Sequence, residues 1–515
     1  MNAPQAMRFL DDAQWDGLLF QGRWVPPLRR RTADVMEPAT GRKLTRVGLA
    51  DAQDVDAAVE AAAAAQPAWM AMPPRERANV FRRAAMLFEQ HFDELALAIA
   101  RETGAALFKG EHEVREAITL CHVAAGMPLE AQGQVLASPA GRLSYARRAP
   151  FGVVGVISPF NFPLFLTLRS VAPALAAGNA VVIKPDLRTP VSGGYVIARV
   201  FAEAGLPAGL LHVLPGGAEA GEALVVHPRV PMIAFTGSPG VGRRIGELAG
   251  RHLKKVSLEL GGANALIILD DADLDLAVSN AAWGAWLHQG QICMAANRIL
   301  VHASLADALT ARLVEKAEHL PVGDGASGQV ALGPLIDQKQ LQRVHAIVQD
   351  SVAAGARLLA GGSYEQLFYR PTVLAGVRPG MRVFDEEVFG PVANIIVFRD
   401  DDEAVALAND SQGGLAAGVI SASVGRAMAL GQRLRVGMVH INDQTVNDDC
   451  VNPFGGPGIA GNGTSMGGPA DWEEYTQWRW VTVRKARRAI RSERERPPPW
   501  RPMTAAGAAH APRPS

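Results

Sequence analysis

Residues 151–168 read FGVVGVISPFNFPLFLTL, a long stretch without a single charged side chain. Its length approaches the ~20 residues of a membrane-crossing helix. Ser158, Pro159, Asn161 and Pro163 interrupt its centre, and its first half is dominated by Val, Ile and Gly. The stretch therefore reads as a buried strand, FGVVGVIS, followed by a loop, PFNFP. Outward from it, strand-like runs alternate with helical ones. NAVVIKP (179–185), GLLHVLPG (209–216) and PMIAFTGS (231–238) read as strands, and SGGYVIARVFAEAG (192–205) reads as a helix between them. This alternation predicts a parallel sheet with crossover helices. A second series starts at about 259, with NALIILD (264–270), a helix, NRILVHAS (297–304), a helix from 304, ARLLAGG (356–362) and ANIIVF (393–398). The fold class is thus α/β, with two domains that each hold a parallel sheet. The cleft between them is a natural ligand site.

Upstream the chain is helical. DAQDVDAAVEAAAAAQPAW (51–69) is an alanine-rich helix opened by an acidic residue. Residues 74–103 read as one further helix, with Pro74 near its start and Gly104 after its end, and residues 110–125 as a third that holds Cys121 in an apolar run. Two stretches lie outside both series. GRLSYARRA (141–149) and WRWVTVR (478–484) look like exposed strands that pair with each other or with another subunit. The Arg-, Pro- and Ala-rich segment 486–515 reads as a disordered tail.

Bulk properties exclude several partners. The 515 residues call for more than one domain. With 51 basic and 51 acidic residues there is no net field to draw in nucleic acid or a membrane surface. The 3 cysteines are widely spaced and form neither a disulfide framework nor a zinc motif, which suits a reducing cytoplasm. The N-terminal stretch carries acids where a signal peptide would have its apolar core.

Chemistry-bearing residues stand at several places. Cys293, in HQGQICMAANR (288–298), is flanked by Gly290, Ala295 and Ala296, which leave room for a ligand. A lone cysteine is otherwise a buried hydrophobe, and a nucleophilic one needs a base or a positive environment. His288 beside it reads as a local structural residue. In FTGSPGVGRRI (235–245) a strand ends in a glycine turn where a helix opens, which suits either a phosphate or a plain turn. Lys184 stands at the carboxyl end of a strand, where open α/β sheets bind ligands. Glu259, within SLELGGANALI, either meets a salt-bridge partner or has the raised pKa of a general base. Asn161 in PFNFP either braces a loop or turns its amide towards an oxyanion. Glu387, in DEEVFGPV (385–392), has the default reading of a surface acid beside a core aromatic, Phe389.

Taken together, PFNFP, GNAVVIKP, FTGSPGVG, LELGGANALI, GQICMAANR, EEVFGPV and PFGGPGIAGNG resemble the aldehyde dehydrogenase superfamily, in that family's order and over residues 20–485. The stretch 453–483, with RSVAPALAAGNAVVIKPDLRT, looks like its benzaldehyde dehydrogenase branch. Gly458 and Ala460 stand where most members have the lysine and serine of FGGxKxSG. The resemblance implies an NAD(P)-binding domain (7–130 and 150–258), a catalytic domain (259–440) and an oligomerisation arm (131–149 and 472–485) serving a homodimer or homotetramer. It also implies roles. Cys293 would attack the aldehyde, Asn161 and the Cys293 backbone N–H would hold the oxyanion, and Glu259 would activate water. Lys184 and Glu387 would hold the cofactor riboses. Gly237, Ser238 and Gly242 would lie at the pyrophosphate, and Phe389 beside the nicotinamide. No metal is implied.

One departure bears on the cofactor. Many NAD-using members carry Glu where this chain has Leu187, and the next residue is Arg188. NAD remains the expectation and NADP the alternative, since a missing acid no longer repels a 2′-phosphate and an arginine attracts one. The expected substrate is benzaldehyde or a substituted relative such as vanillin, with Trp286, Phe162, Phe165 and Leu287 as candidate walls for the ring. Broader, aliphatic or semialdehyde oxidation is the alternative within the class. A CoA-acylating enzyme would not need Glu259 for hydrolysis, and a non-catalytic protein of this fold would have lost the nucleophile, base or oxyanion donor, all retained here. A thiol hydrolase, which would form an acyl-enzyme from an ester with no cofactor, is the remaining class.

Overall fold

The computed structural model describes residues 9–411 and 413–484. They form two compact units, one of residues 9–131 and 148–477, the other of 132–147 and 478–484. The predicted tail at 486–515 lies outside the described residues.

The larger unit holds two seven-stranded sheets. In the first, the strand order is Lys255–Leu260, Met232–Gly237, Val153–Ile157, Ala180–Lys184, Leu211–Val213, Leu19–Gln21 and Trp24–Val25. The first five run parallel and the last two antiparallel. Val153–Ile157 is buried at every residue because it is a central strand with both faces covered. The apolar run that contains it continues through the loop into a helix, Pro163–Ala176, whose side chains are all buried. No helix among the described residues is long and apolar enough to cross a membrane.

The second sheet orders Arg357–Ala360, Thr372–Ala375, Val392–Phe398, Arg298–His302, Ala265–Ile268, Gly414–Ile420 and Val436–Ile441, all parallel save the first. Alternate residues of Ala265–Ile268 enter two separate cores, Ile267 on one face and Leu266 and Ile268 on the other. The chain crosses from the first sheet to the second through Gly261, Gly262, Ala263 and Asn264 alone.

The upstream helices form with two differences from expectation. Asp51 caps the helix Ala52–Ala71 in a reciprocal box with Asp54. The predicted single helix over 74–103 is two, Pro74–Gln90 and Phe92–Thr103, broken at His91 (φ −107°, ψ 21°). No Gly or Pro marks that break; tertiary packing imposes it. Gly104, in the left-handed region at φ 73°, ends the second helix. The predicted helix at 192–205 opens as a π-turn, Val191–Tyr195, before regular helix over Val196–Glu203.

The two orphan strands join one three-stranded sheet, in the order Thr476–Arg484, Arg142–Pro150, Gly133–Val135, so they pair with each other. In the smaller unit, Trp480 is 69% exposed and donates from Nε1 to Ser144 Oγ at 2.8 Å.

Candidate active site

The segment carrying Cys293 leaves the helix Leu274–Trp286 through an unusual turn. His288, Gln289 and Gly290 all adopt left-handed backbone, at φ 47°, 55° and 67°. For the first two this costs ~1–3 kcal/mol each, so the surroundings must hold them there. Gln289 Nε2 donates to the carbonyls of Gly104 (3.0 Å) and Pro334 (2.8 Å). A Cβ on Gly290 would lie 2.1 Å from the Gly390 carbonyl oxygen. A side chain at Gly290 would therefore strike backbone, while Gly290 itself lines a recess together with Ala295 and Ala296. Beyond the turn, Asn264 Nδ2 donates to the Cys293 carbonyl (2.7 Å) and the Ala295 carbonyl (3.1 Å), while its Oδ1 accepts from the N–H groups of Leu415 and Ala416. One amide therefore ties the thiol's loop to the second sheet. Asn161 Nδ2 donates to the Gln291 carbonyl at 2.9 Å, which braces that loop from the first half and leaves the amide's second N–H.

Cys293 is half-buried and free. Burial, then the negative charges of Glu387, Glu259 and Asp448, push its thiol well above the usual range. The thiolate thus has no standing cation to favour it, and a base or an incoming positive charge must supply the drive.

Glu259 is the penultimate residue of the edge strand Lys255–Leu260 and is 2% exposed. Neither carboxylate oxygen has a hydrogen-bond partner among the described residues, where it is not half of a salt bridge. Burial raises its pKa well above the ordinary value, Arg169 pulls it down, and Glu474 and Asp448 push it up. The segment around Gly455 closes over it: a Cβ at Gly455 would stand 3.1 Å from Oε1, and Gly461 bridges to Glu259 in antiparallel fashion. A buried, unpaired carboxyl with a raised pKa has the properties of a general base.

A second group of residues faces the first sheet's carboxyl ends. Lys184 ends its strand and is half-buried, and its ammonium makes no hydrogen bond or ion pair among the described residues; burial lowers its pKa. The strand Met232–Gly237 passes through Ser238 into the helix Pro239–Arg251, whose first N–H groups suit an anion. Gly242 packs so tightly on the strand that a Cβ would meet Leu260 at 2.5 Å. Glu387 departs from its surface default. Its Oε1 is buried without a partner, and burial pushes the carboxyl up to about 8, opposed by Arg343 and by the N–H of Gly262. Arg343 also donates to the carbonyls of Glu387 and Val388, and Gln340 to that of Phe389. These bonds hold Phe389 at φ 55°, with its ring edge-on to Phe160 at 5.8 Å. A recess is bordered by Gly290, Ile292, Ala295, Glu387 and Phe389, residues of the thiol's loop and of the Glu387 turn. A lysine ammonium and a carboxylate oxygen without partners among the described residues, beside a helix N-terminus, fit a ligand with hydroxyls and phosphate such as NAD.

The structure separates one predicted ring wall from the others. Trp286 is 2% exposed in the core of the second sheet, whereas Phe162 and Phe165 belong to the first core and Leu287 packs against it. Sequence reasoning also passed over Arg169. It is buried, pairs with Asp448, donates to the Asn452 carbonyl and lies over the Phe454 ring at 4.7 Å. Its one sequence signal is a charge inside the apolar run LFLTLRSVAPALA. Cys450 is wholly buried, with Glu116 and Asp449 beside it disfavouring a thiolate.

The model of the aldehyde dehydrogenase family matches residues 24–481. A vanillin dehydrogenase of Amycolatopsis sp. is 55% identical over 479 residues, spanning 93% of this chain and 98% of that protein. An NAD(+) benzaldehyde dehydrogenase of Pseudomonas putida is 50% identical over 470 residues, spanning 91% and 96%. The NAD+ complex of an aldehyde dehydrogenase from Bacillus cereus superposes with a TM-score of 0.90 at 34% identity, covering 94% of this chain and 99% of that one.

Proposed function

The chain belongs to the aldehyde dehydrogenase family, and from that premise we propose that it oxidises aromatic aldehydes to carboxylic acids with NAD, using Cys293 as nucleophile and Glu259 as base. The observation that carries the mechanism is the buried Glu259 carboxyl with both oxygens unbonded, close enough to Cys293 to raise its pKa. The substrate class is supported by the vanillin and benzaldehyde dehydrogenases at 55% and 50% identity.

Cys293 Sγ attacks the aldehyde carbon. The developing oxyanion takes the Cys293 backbone N–H and the Asn161 N–H not used on Gln291; one such donor is worth about 3 to 4 kcal/mol in the transition state. NAD, when bound, supplies the hydride acceptor. Oxidation of the thiohemiacetal leaves a thioester on Cys293. Glu259 takes a proton from the water that opens it, releasing the acid. Lys184 and Glu387 would hold the riboses, Gly237 and Ser238 would lie at the pyrophosphate with Gly242 bringing the helix close against the strand, and Phe389 would border the nicotinamide. Arg188 is committed elsewhere: Asp186 grips it at 2.8 Å through two nitrogens and Asp337 at 2.9 Å, with Phe160 stacked 4.0 Å away. A neutralised arginine does not recruit a 2′-phosphate, which favours NAD over NADP.

The exposed Trp480 on an edge strand supports the arm 131–149 and 472–485 as the contact of a homodimer or homotetramer. Three free cysteines suit a cytoplasmic enzyme. The test is a panel of substituted benzaldehydes and aliphatic aldehydes with both cofactors, followed by absorbance of the reduced nicotinamide. The highest kcat/KM should fall to an aromatic aldehyde with NAD; a preference for aliphatic aldehydes would overturn the reading.

A further inference from the structure

Lys109 and Glu113 lie one turn apart on the helix Leu107–Gly126, with side chains 2% and 0% exposed, and form an ion pair with each other. A buried ion pair is costly to desolvate and is weak evidence for stability. This pair is engaged at both ends, however. The helix Pro163–Ala176 has no side-chain cap of its own. Its orphan first-turn donors are met by Glu113 instead, which accepts from the N–H of Phe165 at 3.0 Å and from that of Leu164. A carboxylate there also answers the positive end of the helix dipole. Lys109 Nζ stands 4.5 Å over the Phe162 ring, and the far side of the arrangement is closed by His288, edge-on to Phe162 at 5.4 Å. Phe162 is the residue after Asn161, and His288 belongs to the turn that delivers Cys293.

We propose that Lys109 and Glu113 are positioning residues for the oxyanion donor: they lock Phe162 and the first turn of the following helix, and so fix where Asn161 stands relative to Cys293. The proposal rests on the reading of Asn161 as that donor. It explains why a charge pair is kept in an apolar interior, remote from solvent. Neither side chain touches the reacting atoms; both act through the segment that follows Asn161, Lys109 on the Phe162 ring and Glu113 on the N–H groups of Leu164 and Phe165.

The test is a double-mutant cycle read by the pre-steady-state rate of nicotinamide reduction, with benzaldehyde and saturating NAD. Asn161→Ala should slow this step on the order of 10²-fold. Glu113→Gln, which keeps an acceptor but loses the charge, should slow it about tenfold or more. In the Asn161→Ala background Glu113→Gln should have no further effect, because its target is gone. NAD affinity should be unchanged in all variants. Phe162→Leu, which removes the ring beneath Lys109 and leaves the ion pair intact, is the second arm and should behave in the same non-additive way. Equal slowing by Glu113→Gln in both backgrounds, or none in either, overturns the positioning role while leaving Asn161 in place. No slowing by Asn161→Ala overturns the oxyanion reading itself.

Discussion

Arg188 reaches Asp337 through Nη1 at 2.9 Å while Asp186 holds its other edge, so a single guanidinium is shared between two carboxylates. Removing one of them frees positive charge. Asp337→Asn retains the side-chain oxygen that caps the helix Gln338–Ala353 and loses the charge. The ratio of kcat/KM for NADP to that for NAD should then rise several-fold. An unchanged ratio would show that Arg188 does not face the adenosine ribose.

Glu259→Gln should separate the two chemical steps. The first turnover should proceed, giving a burst of reduced nicotinamide, and the thioester should then persist on Cys293. Continued fast turnover would place the base elsewhere. As the proposed base, Glu259 is competent only when ionised, and burial raises its pKa. Steady-state turnover should therefore climb with pH at values above the ordinary carboxylate range, with no fall of the same origin at higher pH.

Arg169 pulls the Glu259 pKa down. Its removal should move the turnover profile the other way, towards alkali. Arg169→Lys keeps the charge and should leave the midpoint near its native value; Arg169→Met should show the full displacement. Coincident profiles for the two variants would mean that the arginine acts on packing alone.

Glu387, proposed to bind the cofactor, is held at a cost to stability at high pH. Its carboxyl is raised from 4.5 to about 8 in the folded chain. The folded state thus favours the protonated form, and the associated stability is complete below pH 4.5 and is lost as pH rises through about 8. Glu387→Gln should leave Tm little changed at pH 5 and raise it above that of the native enzyme at pH 9, while weakening NAD binding. A Tm difference that does not grow with pH would show that the carboxyl is already ionised in the fold.

How much of this was readable beforehand depends on distance along the chain. The strand–helix alternation from 151 onward gave both sheets, because buried parallel strands announce themselves as short Val- and Ile-rich runs. The strands Gly414–Ile420 and Val436–Ile441 went unmarked, since glycines and a short, mixed pattern hide them. Cys293, Glu259 and Asn161 each have an ordinary reading alone; seven motifs in one family's order are what single them out. Lys109 and Glu113 do not stand out, since that spacing on a helix ordinarily marks a solvated pair. Arg169 is hidden for another reason: Asp448 lies 279 positions away, and only the folded chain brings it near.

The four residues Gly261 to Asn264 have a consequence for how this enzyme tolerates change. Glu259, the proposed base, is the penultimate residue of its strand, and the amide that grips the Cys293 carbonyl is the last residue before the other sheet. The connector therefore links the proposed base to the loop of the proposed nucleophile. Either half can drift in sequence while this junction keeps its length. One residue inserted within it would put the two reactive groups out of step and leave both sheets intact.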